Sequence, residues 1–321
     1  MEEGRSVPHR IHADLRPRAV CRATEDLDLD PAEALVGGHD GQRGGLGDHR
    51  QVGPLSNRTP ENLGNNATFG VVITSEGLIL VDSGGTRKGA EALHAVIKSI
   101  SDKPIRYVIN TGGQDHRWFG NDYFSRQGAK IISSEAAALD HKQRFNDQVL
   151  RLTALIGDEN FAGTEARYAD ILFSDSYRLT LGDTTIEIFH KGQAHTPGDS
   201  YVWVPDSKVV FSGDIVYVDR MLGIGEQSNS RSWVEVFEAM AMLNPDVVIP
   251  GHGAPVPLEK AKKDSYDYLV ALRERVADFI DEGGDISEIS EIRQDDFAYL
   301  ENYETLKGRN AQKVYSELEF E

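Results

Sequence analysis

The chain has few cysteines, a deficit of basic residues and no long apolar run, and each shortage excludes a class of structure or partner. Its 321 residues include a single cysteine, Cys21, so an internal disulfide is excluded and stability must come from the core or from a metal. Arg and Lys number 34 against 52 Asp and Glu, for a net charge of -18. This balance argues against nucleic acid and against an anionic membrane surface as partners. No apolar run approaches the roughly 18 residues of a membrane span.

Aromatic residues are absent from the first part of the chain, because no Phe, Trp or Tyr precedes Phe69. Gly, Arg, Asp and His dominate residues 1–52, which cannot bury enough apolar surface to offset the entropy of ordering. We therefore predict a disordered or poorly packed segment over 1–52 and a folded domain over 53–321. No apolar region follows the first residues, so we expect no signal peptide and a cytoplasmic protein. A periplasmic location is the alternative if the natural start differs.

From residue 62 onward, short β-rich runs alternate with stretches of helical periodicity, without internal repeats. This alternation predicts one α/β domain in which helices cover the sheets. The predicted strands are 69–74, 78–82, 105–109, 130–133, 177–181, 185–189, 201–204, 208–211 and 247–249, and the predicted helices are 90–97, 118–126, 135–156, 233–243 and 258–282.

Four segments place His or Asp just after a predicted strand. They carry Asp115-His116, His195, Asp214 and His252, each with glycines nearby. Strand ends are rigid and their loops converge on one sheet edge, so ligands distant in sequence can meet there. Each residue taken alone fits a turn or loop position better than a ligand position. Their joint order favours a metal site.

With these motifs the chain resembles the metallo-β-lactamase superfamily over roughly residues 62–260. The resemblance implies an αβ/βα four-layer sandwich, with the metal site at one edge between two mixed sheets. Most members of the superfamily are zinc hydrolases, and some use iron. The motifs that carry the resemblance are Asp82-Ser83-Gly84, Asp115-His116, His195-Thr196-Pro197-Gly198-Asp199, Ser212-Gly213-Asp214 and Gly251-His252-Gly253.

The first family motif, His-x-His-x-Asp-His, is reduced here to its last two residues. Aligned on Asp115-His116, its two leading histidines fall at Thr111 and Gly113, and no histidine lies between His94 and His116. In the family those two histidines and the counterpart of His195 hold the first metal. The second metal takes the counterparts of Asp115, His116 and His252, and the counterpart of Asp214 bridges both ions. By this resemblance only the second set of ligands is complete.

Two imidazoles and two carboxylates form a suitable protein shell for zinc. We therefore expect one tightly held zinc ion, with iron or manganese as alternatives. The candidate metal ligands are Asp115, His116, Asp214, His252 and His195. The candidate catalytic residues are His195, as a general base or a group that orients substrate, and Asp115.

The favoured function is a metal-dependent hydrolase in which zinc activates water against a small-molecule substrate that the sequence does not identify. The alternative is a degenerate, non-catalytic member that binds a ligand or partner. An iron-dependent oxidoreductase of the persulfide dioxygenase kind is less favoured, because the resemblance places its iron on the histidines missing at Thr111 and Gly113. The C-terminal helices from about residue 258 shape either the substrate pocket or a homo-oligomer interface.

Overall fold

The computed structural model describes Arg18–Arg22, Leu55 and residues 57–321. Within these residues, the first of two sheets has six strands in sequence order. Its first three strands pair antiparallel and its last three extend the sheet in parallel. The strands are β1 (Arg18–Arg22), β2 (Phe69–Ile73), β3 (Leu78–Val81), β4 (Ile105–Asn110), β5 (Lys130–Ser134) and β6 (Ile171–Phe173).

The second sheet has five strands in the order β11-β10-β9-β8-β7. Its neighbours pair antiparallel except β10 and β11, which run parallel. β11 is the strand at one end of this sheet; it carries His252, and its neighbour β10 carries Asp214. The strands are β7 (Ser176–Leu181), β8 (Thr184–Phe189), β9 (Tyr201–Val204), β10 (Val209–Tyr217) and β11 (Val247–His252).

The two sheets face each other across an apolar core of β-branched and aromatic side chains. Gly70 in β2 permits close approach, because a β-carbon there would lie 2.1 Å from Cε1 of Phe211. The central buried residues are Val72, Ile79, Ile109 and Ile132 from the first sheet, and Ile186, Ile188, Val202 and Phe211 from the second.

Helices cover the outer faces of both sheets. On the first sheet α1 buries Ala90, Leu93 and Ile97, and on the second α6 buries Trp233 and Val236. The four layers form the predicted αβ/βα sandwich, which is therefore confirmed. Among the described residues, no helix has both the length and the apolar character needed to cross a bilayer. The helices are α1 (Arg87–Ile100), α2 (Asp115–Trp118), α3 (Asn121–Arg126), α4 (Glu135–Ile156), α5 (Asp158–Phe161), α6 (Ser230–Ala241), α7 (Leu258–Ala261), α8 (Asp267–Asp281) and α9 (Tyr303–Leu318).

The strand β10 is longer than the predicted 208–211 and includes Asp214, which was expected just after the strand. Its pairing with β11 shifts register around Gly213, whose φ is +51°. A glycine accommodates this left-handed conformation, so the strand bulges and then resumes pairing as far as Tyr217. Asp214 consequently sits on rigid sheet backbone.

Several other predicted boundaries were wrong. The helix expected over 118–126 is two short helices separated at Gly120, where a β-carbon would lie 1.9 Å from the Ser83 carbonyl oxygen. The helix expected over 258–282 contains a π-helical turn, Lys262–Tyr266. Within the segment predicted to be disordered or poorly packed, Arg18–Arg22 forms an edge strand. The rest of residues 1–52 lies outside the described residues, so that prediction stays a prediction.

Candidate metal centre

Three of the predicted ligands converge in the structure. One ligand atom each from His116, Asp214 and His252 lies within 4.8 Å of the other two, and all three side chains are buried. His116 is in α2, directly after the loop that follows β4, whereas Asp214 and His252 are in the neighbouring strands β10 and β11. The centre therefore lies at the edge where the two sheets meet.

The spacing of these atoms suits a single metal ion. Asp214 Oδ2 is 3.3 Å from His116 Nε2, and Asp214 Oδ1 is 3.2 Å from His252 Nε2. Two ligands at about 2.0–2.1 Å from a tetrahedral zinc ion are separated by roughly 3.3 Å. In addition, His116 Nε2 is buried and has no hydrogen-bond partner among the described residues. These residues therefore fit a zinc ion.

The tautomer of His252 supports the same conclusion. Its Nδ1 lies 2.8 Å from the carbonyl oxygen of Asn66, which only accepts hydrogen bonds, so Nδ1 carries the proton. Burial is the main reason why the pKa of His252 is well below its ordinary value, and the imidazole is neutral. Its Nε2 lone pair then faces a carboxylate oxygen 3.2 Å away, and a cation bound between these two acceptors would satisfy both.

Arg117 fixes the carboxylate of Asp214 from behind. Its Nη2 donates to Asp214 Oδ1 at 2.7 Å and to the Gly251 carbonyl at 3.0 Å, while Nη1 donates to Asp82 at 2.8 Å. Burial alone would raise the pKa of Asp214, but Arg117 and His116 outweigh it and hold that pKa well below the usual range. Asp214 is therefore an anion. Sequence reasoning missed Arg117, although it directly follows His116.

Asp82 supports the site from outside the ligand cluster, and its φ of +66° is unusual for a residue with a side chain. Its carboxylate accepts from Arg117 and from the backbone N–H and hydroxyl of Thr111. Asp82 thereby ties Thr111 and Arg117 together beneath Asp214. Thr111, where the family places a histidine, is committed to this structural contact.

Tyr217 is a second residue that sequence reasoning missed. It is the register partner of His252 across β10 and β11, and its ring stacks on the imidazole with centroids 4.6 Å apart. Burial raises the pKa of Tyr217 well above its ordinary value, so the phenol is neutral. The stacked ring restricts the orientation of His252.

The structure does not bring Asp115 into the cluster of three. Its Oδ1 forms an ion pair with Arg58 Nη2 at 2.7 Å and lies 3.1 Å from His116 Nδ1. Burial alone would raise the pKa of Asp115, but the Arg58 guanidinium outweighs burial and lowers it. Asp115 thus flanks the outer nitrogen of His116, while the convergent atom of that imidazole is Nε2.

His195 also stands apart from the three convergent ligands. Its Nδ1 lies 2.9 Å from the Gly223 carbonyl oxygen, so Nδ1 carries the proton, and Nε2 accepts from Gln114 Nε2 at 2.7 Å. Burial lowers the pKa of His195 to about 4, against the opposing effect of Asp214. The imidazole is therefore neutral at pH 7, with its unprotonated nitrogen in contact with Gln114.

Comparison with known proteins identifies the family. The family model of the metallo-beta-lactamase superfamily matches residues 63–252, more than half of the chain and all three convergent ligands. The chain belongs to the metallo-beta-lactamase superfamily. The match begins in the loop before β2 and ends at His252, so it includes the whole second sheet and every strand of the first sheet except β1.

Individual relatives in the superfamily are distant. A metallo-beta-lactamase type 2 from Bacillus sp. (strain 170) is 26% identical over 187 residues, 57% of this chain and 65% of that relative. A linear primary-alkylsulfatase from Pseudomonas sp. (strain ATCC 19151) is 19% identical over 246 residues, 65% of this chain and 46% of the relative. The matched region thus spans less than two thirds of the length of either relative.

A solved structure of the sec-alkyl sulfatase PisA1, an enzyme from Pseudomonas sp., has the same fold. Its TM-score is 0.65 at 16% identity, and the superposition covers 81% of this chain and 48% of that chain. At this identity the likeness concerns the fold alone. It extends beyond the residues matched by the family model.

The loop 111–114, which joins β4 to α2, is hydrogen-bonded to side chains of α4. His141 Nε2 donates to the Gly112 carbonyl at 2.9 Å, and Gln148 Nε2 donates to the Gly113 carbonyl at 2.7 Å. The backbone N–H of Gly113 donates to the Thr196 hydroxyl at 3.0 Å. The loop is therefore fixed by hydrogen bonds on both sides.

His141, which bonds this loop, is expected to make the free energy of unfolding depend on pH. Burial lowers the pKa of His141 to about 3, whereas the unfolded chain titrates near 6.5. Between these values the unfolded state binds a proton that the native state does not, so stability falls as the pH falls from about 6.5 towards 3. We expect His141→Gln to remove about 1.4 kcal/mol per pH unit from the slope of that acid limb. Urea unfolding from pH 7 to pH 4 measures this slope, and an unchanged slope contradicts the assignment.

Proposed function

We propose that the protein is a metal-dependent hydrolase that binds one zinc ion through His116, Asp214 and His252. The observation that carries the proposal is the convergence of two imidazole nitrogens on one buried carboxylate, with Asp214 3.2–3.3 Å from both nitrogens. A bound zinc ion would supply a Lewis acid that polarises a substrate oxygen and acidifies water. Asp115 stays a proposed fourth ligand, which requires its carboxylate to exchange Arg58 for the ion.

The protein groups around the proposed ion have distinct tasks. Arg117 holds the Asp214 carboxylate in place, because it contacts both of its oxygens. Asn66 fixes the proton of His252 on Nδ1 and leaves Nε2 free as a ligand atom. Such supporting contacts orient ligands and raise metal affinity.

His195 is the proposed general base. Its Nε2 is unprotonated at pH 7 and, within the described part of the chain, its hydrogen-bond partner is the side-chain amide of Gln114. When that amide gives way to substrate or water, Nε2 accepts a proton while Nδ1 keeps its hydrogen bond to Gly223. The role requires no change in the orientation of the ring.

The substrate class is to be identified with a panel of compounds. The relatives are named for two different reactions, lactam hydrolysis and alkyl sulfate hydrolysis, and one fold supports many chemistries. We propose to assay lactams, esters, lactones, sulfate esters and phosphodiesters, with and without added zinc. Turnover that a chelator abolishes and zinc restores supports the hydrolase.

A non-catalytic, ligand-binding member is the second candidate function. It is favoured by the ion pair between Asp115 and Arg58, which engages one of the predicted ligands. It is also favoured by the replacement of two family histidines with Thr111 and Gly113. This candidate predicts zinc binding or ligand binding without turnover on any member of the panel.

The decisive measurement for the metal is its stoichiometry. We expect about one zinc per chain in protein purified without chelator, and a loss of at least about tenfold in zinc affinity for His252→Ala and His116→Ala. His94→Ala is the matched control, because His94 lies on α1 and bonds Tyr123, outside the convergent ligands. Elemental analysis and competition with a chromogenic chelator measure both quantities. A full zinc complement of unchanged affinity in both site variants would refute the assignment.

A further inference from the structure

The side of the site that lacks family histidines is filled by an ion pair from α4. A β-carbon built on Gly113 would lie 1.8 Å from Asp140 Oδ2 and 2.8 Å from Arg144 Nη2. Gly113 is the position of the second family histidine, whose side chain would have to extend in this direction. The Asp140–Arg144 ion pair therefore fills the direction in which that imidazole would extend, with the carboxylate nearest to Gly113 and the guanidinium beside it.

Arg144 is fixed in this place. It forms an ion pair with Asp140, one helical turn earlier on α4, and Nη2 also donates to the Gly113 carbonyl oxygen at 3.2 Å. Asp140 is buried, whereas the Arg144 side chain keeps 16% of its surface exposed. In the described part of the chain, Nη1 of Arg144 donates no hydrogen bond. Arg144 is thus a fixed cation whose Nη1 can donate hydrogen bonds to a ligand.

Two further groups border the same place. Gln114 Nε2 lies 2.7 Å from His195 Nε2. By the family resemblance, His195 and Asp214 are the two ligands of the first metal that the chain retains. The electrostatic influence of Arg144 reaches His195, because it adds to burial in lowering the pKa of that imidazole. Arg144 and Gln114 thus meet at the same loop, where Arg144 donates to the Gly113 carbonyl and the adjacent Gln114 contacts the neutral imidazole of His195.

We propose that Arg144 and Gln114 form a binding subsite for an oxyanion next to the metal centre, in the place of the first metal. The subsite would take the anionic group of a substrate, a carboxylate, sulfate or phosphate. A guanidinium binds such groups through charge-assisted, directional hydrogen bonds, but it does not acidify water as a metal ion does. This assignment of substrate class rests on the proposed function, whereas the binding of the anion does not.

The alternative is that Arg144 only ties the loop to α4. Both roles predict a loss of stability when Arg144 is replaced, so stability cannot separate them. Anion affinity does, because a purely structural arginine contributes none once the loop is held. The double variant Asp140→Asn with Arg144→Gln keeps polar contacts to the loop and removes both charges, so it tests anion binding without a buried unpaired carboxylate.

The experiment is a calorimetric titration of inorganic sulfate, phosphate and acetate into the full chain, with and without zinc. We expect at least about tenfold weaker binding of the preferred anion to Arg144→Gln and to the double variant, and partial recovery in Arg144→Lys. Arg151→Gln is the matched control, since Arg151 is exposed on the same helix two turns away. Circular dichroism establishes that each variant is folded.

The outcomes separate this subsite from the hydrolase. Anion binding that depends on Arg144 in the zinc-free protein supports the subsite, even if zinc content or turnover fails to support the hydrolase. Equal anion affinity in wild type and in the double variant overturns the subsite, whatever the zinc content. Absence of anion binding to the wild-type protein overturns it as well. The three anions distinguish a planar carboxylate from a tetrahedral sulfate or phosphate group.

Discussion

Asp214→Asn is expected to abolish tight zinc binding and to lower the free energy of unfolding by about 3 kcal/mol, the effect of removing one partner from a buried ion pair. Asp214 is 1% exposed and contacts two imidazole nitrogens and the guanidinium of Arg117. Asparagine preserves the shape of the side chain but removes the charge on which all three contacts depend. The metal and the fold are therefore expected to weaken together.

The stability loss is expected in the zinc-free protein too, which separates it from metal linkage. Arg117 is fully buried, and its guanidinium would keep only Asp82 as an anionic partner. Burial by itself lowers the pKa of Arg117, and the carboxylates of Asp214 and Asp82 normally outweigh that effect and raise it. With one carboxylate neutralised, the cost of burying the charge is no longer fully offset.

Urea unfolding with and without a chelator, together with elemental analysis, measures both effects. Asp246→Asn is the control, because Asp246 is 67% exposed at its side chain and its ion pair with Lys208 is 3.9 Å long. A surface pair of this kind contributes between about 0 and 1 kcal/mol. Wild-type zinc content and stability in Asp214→Asn would contradict the placement of this carboxylate at the centre.

The convergence of His116, Asp214 and His252 could be predicted from the sequence because each belongs to a short motif beside a strand. Asp214 and His252 were expected at one sheet edge, and β10 and β11 do lie side by side there. The fold was inferred from the order of the motifs, and that order is kept although the motif at Asp115-His116 lacks its two leading histidines. Helix α4 was predicted with its observed bounds, Glu135–Ile156, because its apolar positions recur at helical spacing.

The supporting contacts were not predictable, because they join residues that are far apart in sequence. Arg117 reaches the carbonyl of Gly251, 134 positions away, and His252 bonds the carbonyl of Asn66, 186 positions away. Backbone carbonyls carry no residue-specific signal at all. The extension of β10 beyond the predicted strand was missed for a related reason: Gly213 and Asp214 have low strand propensity, and the strand continues because Gly213 and Tyr217 pair with β11.

Gly113→Ala is expected to lower the free energy of unfolding by about 1–3 kcal/mol, the usual effect of overpacking a filled interior. The new β-carbon would lie 1.8 Å from Asp140 Oδ2, and Asp140 is held by its ion pair with Arg144. The loop cannot easily retreat, because Gln148 and Thr196 bond its backbone. Gly225→Ala is the control, since its β-carbon would meet nothing closer than Arg309 at 3.9 Å.

A double-mutant cycle with Asp140→Ala tests the cause of this destabilisation. Asp140→Ala removes the obstructing carboxylate, so the double variant is expected to be more stable than the sum of the two single effects predicts. Urea unfolding of the four proteins gives the coupling free energy. Additive effects would mean that the β-carbon at position 113 does not meet Asp140, and Arg144 would then not occupy the direction of the missing histidine.

The same cycle indicates why Gly113→His alone is not expected to regain a first metal. The imidazole would have to displace the Asp140–Arg144 ion pair, and Thr111, the other vacant ligand position, is engaged by Asp82. Restoring the family motif therefore requires changes on α4 as well as in the loop. If Gly113→His instead binds a second zinc ion without loss of stability, the space beside His195 is open. The Asp140–Arg144 ion pair would then not occupy the place of the missing histidine.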